Sequence, residues 1–374
     1  MRVAALRQLV GRHVRPVRCT SSRGFSAVPE PKDFDWDSLG FALNTKDTIM
    51  SVNVAERGQD FLKENNKLVP YGPLDMEPAA TVINYGQSVF EGLKAMRADD
   101  GTIVMFRPDK NAERMQDGCR HYLMPEPSKE VFLDAVENVV RANAHWVPPG
   151  HDGGAFYMRP LTFGSGSGLG VGPSPEFSFI VFGSPVGAYF KLGGKVQGIR
   201  LLASSQHDRA ARLGVGHIKA AGNYAQVFHA QAQARADGYN DVLFLDAEKK
   251  MHIEEVAAAN FFCVVDGVLL TPKLGTILPG ITRDAIITVA RDAGLQVEET
   301  DITLKDVAGA TEAFCAGTAA VVTPIASITS SDAKHDIVFP EQTNSVCDQI
   351  RKAVLDIQYR RVPDPYGWIH EVQF

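Results

Sequence analysis

The residues best suited to chemistry lie in the second half of the chain. Lys219 sits in His217-Ile218-Lys219-Ala220-Ala221-Gly222-Asn223-Tyr224. Most lysines are solvated surface charges. Around this one, Gly214, Gly216 and Gly222 let backbone approach a ligand closely, and Ala220 and Ala221 keep the neighbourhood small. Desolvation of that kind favours the neutral amine that a Schiff base requires. Glu255 leads an apolar run, Val256-Ala257-Ala258-Ala259-Asn260-Phe261. A carboxylate in that place is ordinarily solvated; the alternative is a buried cation opposite it, and a pyridinium nitrogen is such a cation.

Two small-residue turns could hold anions. Leu278-Pro279-Gly280-Ile281-Thr282-Arg283 opens a helix whose first amides are free. Ala316-Gly317-Thr318-Ala319-Ala320 offers further amides and a hydroxyl. Alone, each is explained by simple capping. Arg114 and Arg159 are the side chains best suited to phosphate or carboxylate. The stretch 164–172, Gly-Ser-Gly-Ser-Gly-Leu-Gly-Val-Gly, fits no G-x-G-x-x-G frame and is followed by no G-K-S/T, so it reads as a surface loop. His252 with Glu254 and Glu255 is a tempting metal cluster, but there is no H-E-x-x-H and the bland reading is preferred.

Positioning these residues calls for an α/β (α+β) architecture in two halves: 33–186 and 195–374, joined by a connector at 187–194. In the first half, Ser128 caps a helix with Val131, Phe132, Ala135, Val136, Val139 and Val140 on one face, stopped by Pro148-Pro149-Gly150. The run 177–182 reads as a strand. In the second half, a helix spans 223–236 and stops at Gly238, a strand covers 241–245, and Asp266-Gly267 makes a hairpin. Thr282 reads as the N-cap of a helix that ends at Gly294, and a last helix covers 342–359.

The chain of 374 residues is 45% hydrophobic, enough for two cores, and has no apolar run of membrane-spanning length. Its net charge of -6 is uneven: Arg2, Arg7, Arg12, Arg15, Arg18 and Arg23 precede the first acid, Glu30, so the rest carries -12. An acidic body argues against nucleic acid as a partner. The Arg-rich, acid-free head interleaves apolar residues and serines, the pattern of a transit peptide over 1–30, with Arg23-Gly24-Phe25-Ser26 resembling a mitochondrial processing site. This predicts the mitochondrial matrix; a plastid is the weaker option. The five cysteines form no C-x-x-C and no zinc spacing.

Taken in order, the motifs resemble the branched-chain amino acid aminotransferases. These belong to the D-amino acid aminotransferase-like group (fold type IV) of pyridoxal 5'-phosphate enzymes. The resemblance runs from about residue 36 to the end. It rests on Tyr85-Gly-Gln-Ser-Val-Phe90-Glu-Gly-Leu-Lys-Ala95, Phe106-Arg-Pro, Glu113-Arg-Met115, Phe156-Tyr-Met-Arg-Pro160, Ser184-Pro-Val-Gly-Ala-Tyr-Phe190, Lys219-Ala-Ala-Gly-Asn-Tyr224, Glu255 with Asn260-Phe261, Leu278-Pro-Gly-Ile-Thr-Arg283 and Gly317-Thr-Ala-Ala320.

The resemblance implies roles for these positions. Lys219 binds the cofactor as a Schiff base and shuttles the proton; Tyr224 bonds the cofactor's phenolic oxygen; Glu255 pairs with its ring nitrogen. Arg114, the amides of Ile281 and Thr282, and Thr318 hold the phosphate. Tyr85, Arg159 and the amides of Ala319 and Ala320 orient the substrate carboxylate, and Phe90, Tyr157 and Tyr189 wall an apolar pocket. Leu169 and Val171 match positions that reach the other subunit's site, which implies a homodimer.

The implied reaction moves the amino group of L-leucine, L-isoleucine or L-valine to 2-oxoglutarate. D-amino acid aminotransferases and aminodeoxychorismate lyases share the lysine and glutamate and are the rivals within the fold; a non-catalytic cofactor-binding scaffold is the rival outside catalysis. Two departures stand out. Ala320-Val-Val-Thr323 replaces the C-x-x-C of animal members, and Ala258 stands where some members carry a hydroxyl.

Overall fold

The computed structural model describes residues 28–150, 154–187 and 198–374. The leader up to residue 27, Tyr189 and the expected connector beyond Gly187 lie outside the described residues.

The first sheet is built from β1 (Ile49–Glu56), β2 (Lys67–Pro70), β3 (Ser88–Phe90), β4 (Leu93–Arg97), β5 (Ile103–Phe106), β6 (Ala155–Gly164) and β7 (Glu176–Val186). Helix α1 (Thr81–Tyr85) precedes β3, and α2 (Pro108–His121) and α3 (Lys129–Ala142) follow β5. The amide of Val131 donates to the Ser128 hydroxyl at 3.2 Å, and all six residues of the expected apolar face of α3 are buried. That face and α2 cover one side of the sheet, with Phe132 stacked 6.1 Å from Phe179 of β7.

The second sheet comprises β8 (Ile199–Ser204), β9 (Asp241–Leu245), β10 (Ile253–Val256), β11 (Ala259–Val265), β12 (Val268–Pro272), β13 (Val297–Thr300), β14 (Glu312–Gly317), β15 (Val321–Ser330) and β16 (Asp336–Val338). Its order is β10-β9-β8-β15-β14-β11-β12-β13, with β16 beside β15. A further β10–β11 pairing closes part of it into a ring around Leu201, Leu243, Phe261, Cys263, Cys315 and Ile325. The Asp266-Gly267 turn joins β11 to β12 with positive φ at both residues (49° and 78°), as a type I′ hairpin requires.

Helices in this half depart from the sequence reading at three points. The expected helix over 223–236 is broken into α4 (Gly222–Ala225) and α5 (Phe228–Ala236) by a turn at Gln226 and Val227, where the Gln226 side-chain amide donates to the Arg209 carbonyl. Gly280, rather than Thr282, is the N-cap of α6 (Ile281–Asp292): its extended backbone starts the helix, and Thr282 is buried in the first turn. After the short α7 (Leu304–Val307), α8 (Val346–Gln358) begins at Ser345, later than 342, because Ser345 and Asp348 form a reciprocal capping box there.

Helices α6 and α8 lie between the sheets. Ile286, Ile350 and Val354 share a cluster with Phe262 and Phe314 of the second sheet and with Met96 and Val104 of the first. The last strand, β17 (Ile369–Glu371), leaves the expected second half and pairs antiparallel with β5, so the first sheet holds residues from both ends of the chain. Among the described residues no helix is long and apolar enough to cross a membrane.

Candidate active site

The segment carrying Lys219 is held against the first sheet rather than left as a free loop. The Phe90 amide donates to the Lys219 carbonyl at 3.0 Å, and the Ala221 amide to the Ser88 carbonyl at 3.2 Å. Asn223 bonds back to the carbonyls of Val215 and Ile218 at 2.7 and 2.9 Å. These bonds aim a partly buried Lys219 at a cavity of about 280 Å³ between the two sheets. Its Nζ lies 3.0 Å from the Tyr224 hydroxyl and 4.8 Å from the Phe90 ring centre.

Glu255 lines the same cavity from β10. Oε1 accepts from the Leu278 amide at 2.9 Å and from Arg209 Nη1 at 2.6 Å, and Oε2 accepts from Asn260 at 3.1 Å. Burial pushes its carboxyl up to about 7; the Arg209 guanidinium is the main force the other way. Gly280 is needed here, because a Cβ on it would fall 2.0 Å from the Asn260 oxygen that its missing side chain accommodates.

The anion cradle is made of α6 and the turn after β14. No side chain caps α6, so the first-turn amides at Ile281 and Thr282 face the cavity, with Thr318, Ala319 and Ala320 nearby. Arg114 reaches the cavity from α2, but its guanidinium is a fork on Glu91: Nε to Oε1 at 2.7 Å and Nη2 to Oε2 at 2.8 Å. A third bond runs to the Pro279 carbonyl at 3.0 Å, next to the cradle. Burial alone would lower the Arg114 pKa, but the charge and hydrogen bonds of Glu91 outweigh it and hold it above the ordinary value. Lys94, buried on β4, has its pKa pulled down to about 8 by desolvation and donates to the Ala319 carbonyl at 3.3 Å, tying the turn to the first sheet.

Phe41, Phe90 and Tyr157 form the apolar wall, with Phe90 edge-on to Tyr224 at 4.7 Å and Phe41 edge-on to Tyr157 at 5.0 Å. Gly92 makes room for Tyr157: a Cβ there would sit 2.0 Å from the phenol oxygen. Arg159 stacks over Phe90 at 4.7 Å, and its buried Nε has no hydrogen-bond partner among the described residues. A cationic donor above an aromatic wall can receive a second carboxylate.

Of the residues expected from sequence, Lys219, Tyr224, Glu255, Arg114, Ile281, Thr282, Thr318, Ala319, Ala320, Phe90, Tyr157 and Arg159 all line this cavity. Tyr85, Leu169 and Val171 do not. The Tyr85 hydroxyl, at the end of α1, donates to the Leu169 carbonyl at 2.5 Å in the loop between β6 and β7, where Leu169 and Val171 are 88% and 89% exposed. Among the described residues no group of three His, Cys, Asp or Glu side chains, His252 with Glu254 and Glu255 included, is arranged to hold a metal.

Sequence reasoning missed Glu91, Lys94, Arg209 and the wall residue Phe41 as site residues. The first two stood in plain view inside Phe90-Glu-Gly-Leu-Lys-Ala95, as charges in an otherwise apolar run. Arg209 gave no such signal, lying in the mixed stretch Gln206-His-Asp-Arg-Ala-Ala-Arg212.

An amine, a buried acid opposite it and an anion cradle at one wall fit pyridoxal 5'-phosphate, and known proteins bear this out. The sequence profile of amino-transferase class IV matches residues 88–328. The chain belongs to the class IV aminotransferases. Members of this class depend on pyridoxal phosphate.

Among its relatives, the chain is 45% identical over 353 residues to the chloroplastic branched-chain-amino-acid aminotransferase 5 of Arabidopsis thaliana, covering 94% of this chain and 83% of that one. It is 41% identical to the mitochondrial branched-chain amino acid aminotransferase 1 of Humulus lupulus, over 92% of this chain and 86% of the relative. The crystal structure of the Escherichia coli branched-chain amino acid aminotransferase superposes with a TM-score of 0.72 at 30% identity, covering 86% of this chain and 99% of that one. Such relatives thus occur in both organelles, chloroplast and mitochondrion.

Proposed function

We propose that this class IV aminotransferase moves the amino group of L-leucine, L-isoleucine or L-valine to 2-oxoglutarate. The observation that carries the reading is that Lys219 and Glu255 face one cavity, with the α6 cradle at one wall and Phe41, Phe90 and Tyr157 at the other.

The residues fit pyridoxal phosphate. Ile281, Thr282 and Thr318 would hold its phosphate with Arg114, Tyr224 its phenolic oxygen and Glu255 its ring nitrogen. The bound cofactor supplies an aldehyde to join the substrate nitrogen and a ring that withdraws electrons from the substrate Cα. Lys219 Nζ would hold the cofactor's aldehyde carbon in the resting enzyme and, as a free amine beside the bound substrate, would take up and deliver the proton at the substrate Cα.

Arg209 and the Leu278 amide hold Glu255 ready to accept the ring N–H. The Ala319 and Ala320 amides orient the substrate carboxylate, and Arg159 meets the second carboxylate of glutamate. The apolar wall accepts all three branched side chains, because one methylene there is worth only about 1–3 kcal/mol.

A homodimer is part of the proposal. Tyr85, Leu169 and Val171 expose an apolar edge remote from their own cavity, which a second copy would cover. The Arg-rich leader supports the mitochondrial matrix as the destination.

The test is glutamate formation from 2-oxoglutarate with L-leucine, and separately with D-alanine. Activity with leucine alone is expected; inactivity with leucine sinks the assignment. Lys219→Ala is expected to lower turnover at least about 10⁴-fold.

A further inference from the structure

Strand β10 carries a second buried carboxylate. Glu254 precedes Glu255 and faces the opposite side of the strand, away from the cofactor cavity. It is 6% exposed. Its Oε1 accepts from the Thr276 hydroxyl at 2.5 Å, while Oε2 is buried with no hydrogen-bond partner among the described residues. Buried carboxylate oxygens are rarely left this way, because the desolvation goes uncompensated.

Glu254 lines an open cleft of about 450 Å³ that is separate from the active site. Lys249 brings positive charge to it, as do Arg212 and Lys273. Their ion pairs, with Glu248 at 3.3 Å and Asp301 at 2.7 Å, are solvent-exposed pairs that hold their partners weakly. Leu213 and Leu274 also line the cleft and are 93% and 50% exposed.

An anionic wall with an orphaned oxygen, two replaceable cations and two exposed aliphatic side chains call for a ligand with an ammonium, a carboxylate and an aliphatic group. A metal ion does not match, because no cluster of three suitable side chains exists among the described residues.

We propose that this cleft is a second, non-catalytic site for a free aliphatic α-amino acid. Its ammonium meets Glu254 Oε2, its carboxylate displaces Glu248 and Asp301 from Arg212 and Lys273, and its side chain lies against Leu213 and Leu274. Occupancy bears on the active site through Arg209, whose charge acts on both Glu254 and Glu255. The proposal does not depend on which amino acid is the substrate.

The test titrates L-leucine calorimetrically into holoenzyme reduced with borohydride, which fixes the cofactor on Lys219 and prevents covalent uptake at the active site. One leucine per chain is expected. Affinity should fall at least about tenfold in both Glu254→Gln and Arg212→Ala, since each removes a charge-assisted contact. 4-Methylpentanoate, which is leucine without the ammonium, should not compete.

No binding, binding unaltered in the variants, or equal competition by 4-methylpentanoate overturns the proposal; the last two place the leucine in the active site instead. Should Glu254→Gln fail to fold, Arg212→Ala decides, because that side chain is 71% exposed and its loss leaves the core intact.

Discussion

Two buried arginine–carboxylate pairs flank the cofactor cavity, and they are built differently. Glu91 receives both arms of Arg114, the Asn111 amide at 2.7 Å and its neighbour's backbone at 3.2 Å. It is a saturated acceptor, and its geometry is a bidentate fork. Glu255 receives one contact from Arg209, one backbone amide and one long bond from Asn260, while Arg209 Nε is left without a partner among the described residues. Its carboxyl is pushed up to about 7. In the first pair the acid is fully satisfied, and it fixes the Arg114 guanidinium at the cavity wall. The second is short of positive charge, which the ring nitrogen proposed to face Glu255 would supply.

The sharpest way to break this contrast is to neutralise each acid in turn. Glu255→Gln is expected to leave a folded protein whose turnover falls about 10²–10⁴-fold, measured by coupled assay on cofactor-saturated enzyme. Glu91→Gln is expected to act mainly on the fold. It strands the Arg114 guanidinium in a buried site, at about 3–5 kcal/mol, seen as a lower urea midpoint. Equal losses of stability in the two variants would erase the distinction.

A smaller effect should appear with pH. The carboxyl of Glu255, raised from 4.5 to about 7, favours the protonated form in the fold. Its contribution is therefore full below pH 4.5 and is lost as pH rises through 7, in all about 3 kcal/mol. Glu254 and Asp241 are raised too, by burial, so the comparison is cofactor-free wild type against Glu255→Gln between pH 5 and 8. Lys94, pulled down to about 8, moves stability the other way only above that pH. The slope should be steeper in the wild type, and bound cofactor should flatten it; no difference between the two proteins would mean that Glu255 is already paired.

The smallest expected effect is at Gly92. Ala there pushes Tyr157 aside. KM for leucine should rise about tenfold with little change in kcat, because the wall shifts while Lys219 and Glu255 stay in place.

Much of the site was legible because small residues mark close approach. The glycines around Lys219 and the Gly317 turn pointed to the cavity before any contact was known. The amphipathic face of α3 was legible for the same kind of reason, as a 3.6-residue period with a serine at its head.

What was not legible depended on partners distant in sequence. Glu91 is a site residue only because Arg114 comes round on α2, and Lys94 only because the turn at Ala319 folds over it. Tyr85 was read as orienting the substrate carboxylate, and a motif gives the residue type but not that its hydroxyl bonds the Leu169 carbonyl away from this cavity. Thr282 looked like a cap because hydroxyls usually are; a side-chain-free Gly280 took that position, and this is what leaves the α6 amides open for an anion.

The pairing of β17 with β5 bears on biosynthesis. Residues 369–371 complete a sheet whose other strands all end by Val186. While the second sheet is still being translated, the β5 edge stays bare, and it can close only once residues 369–371 have been made. A nascent chain stalled after the second sheet but before residues 369–371 would therefore present an unpaired strand edge of the kind that chaperones shield.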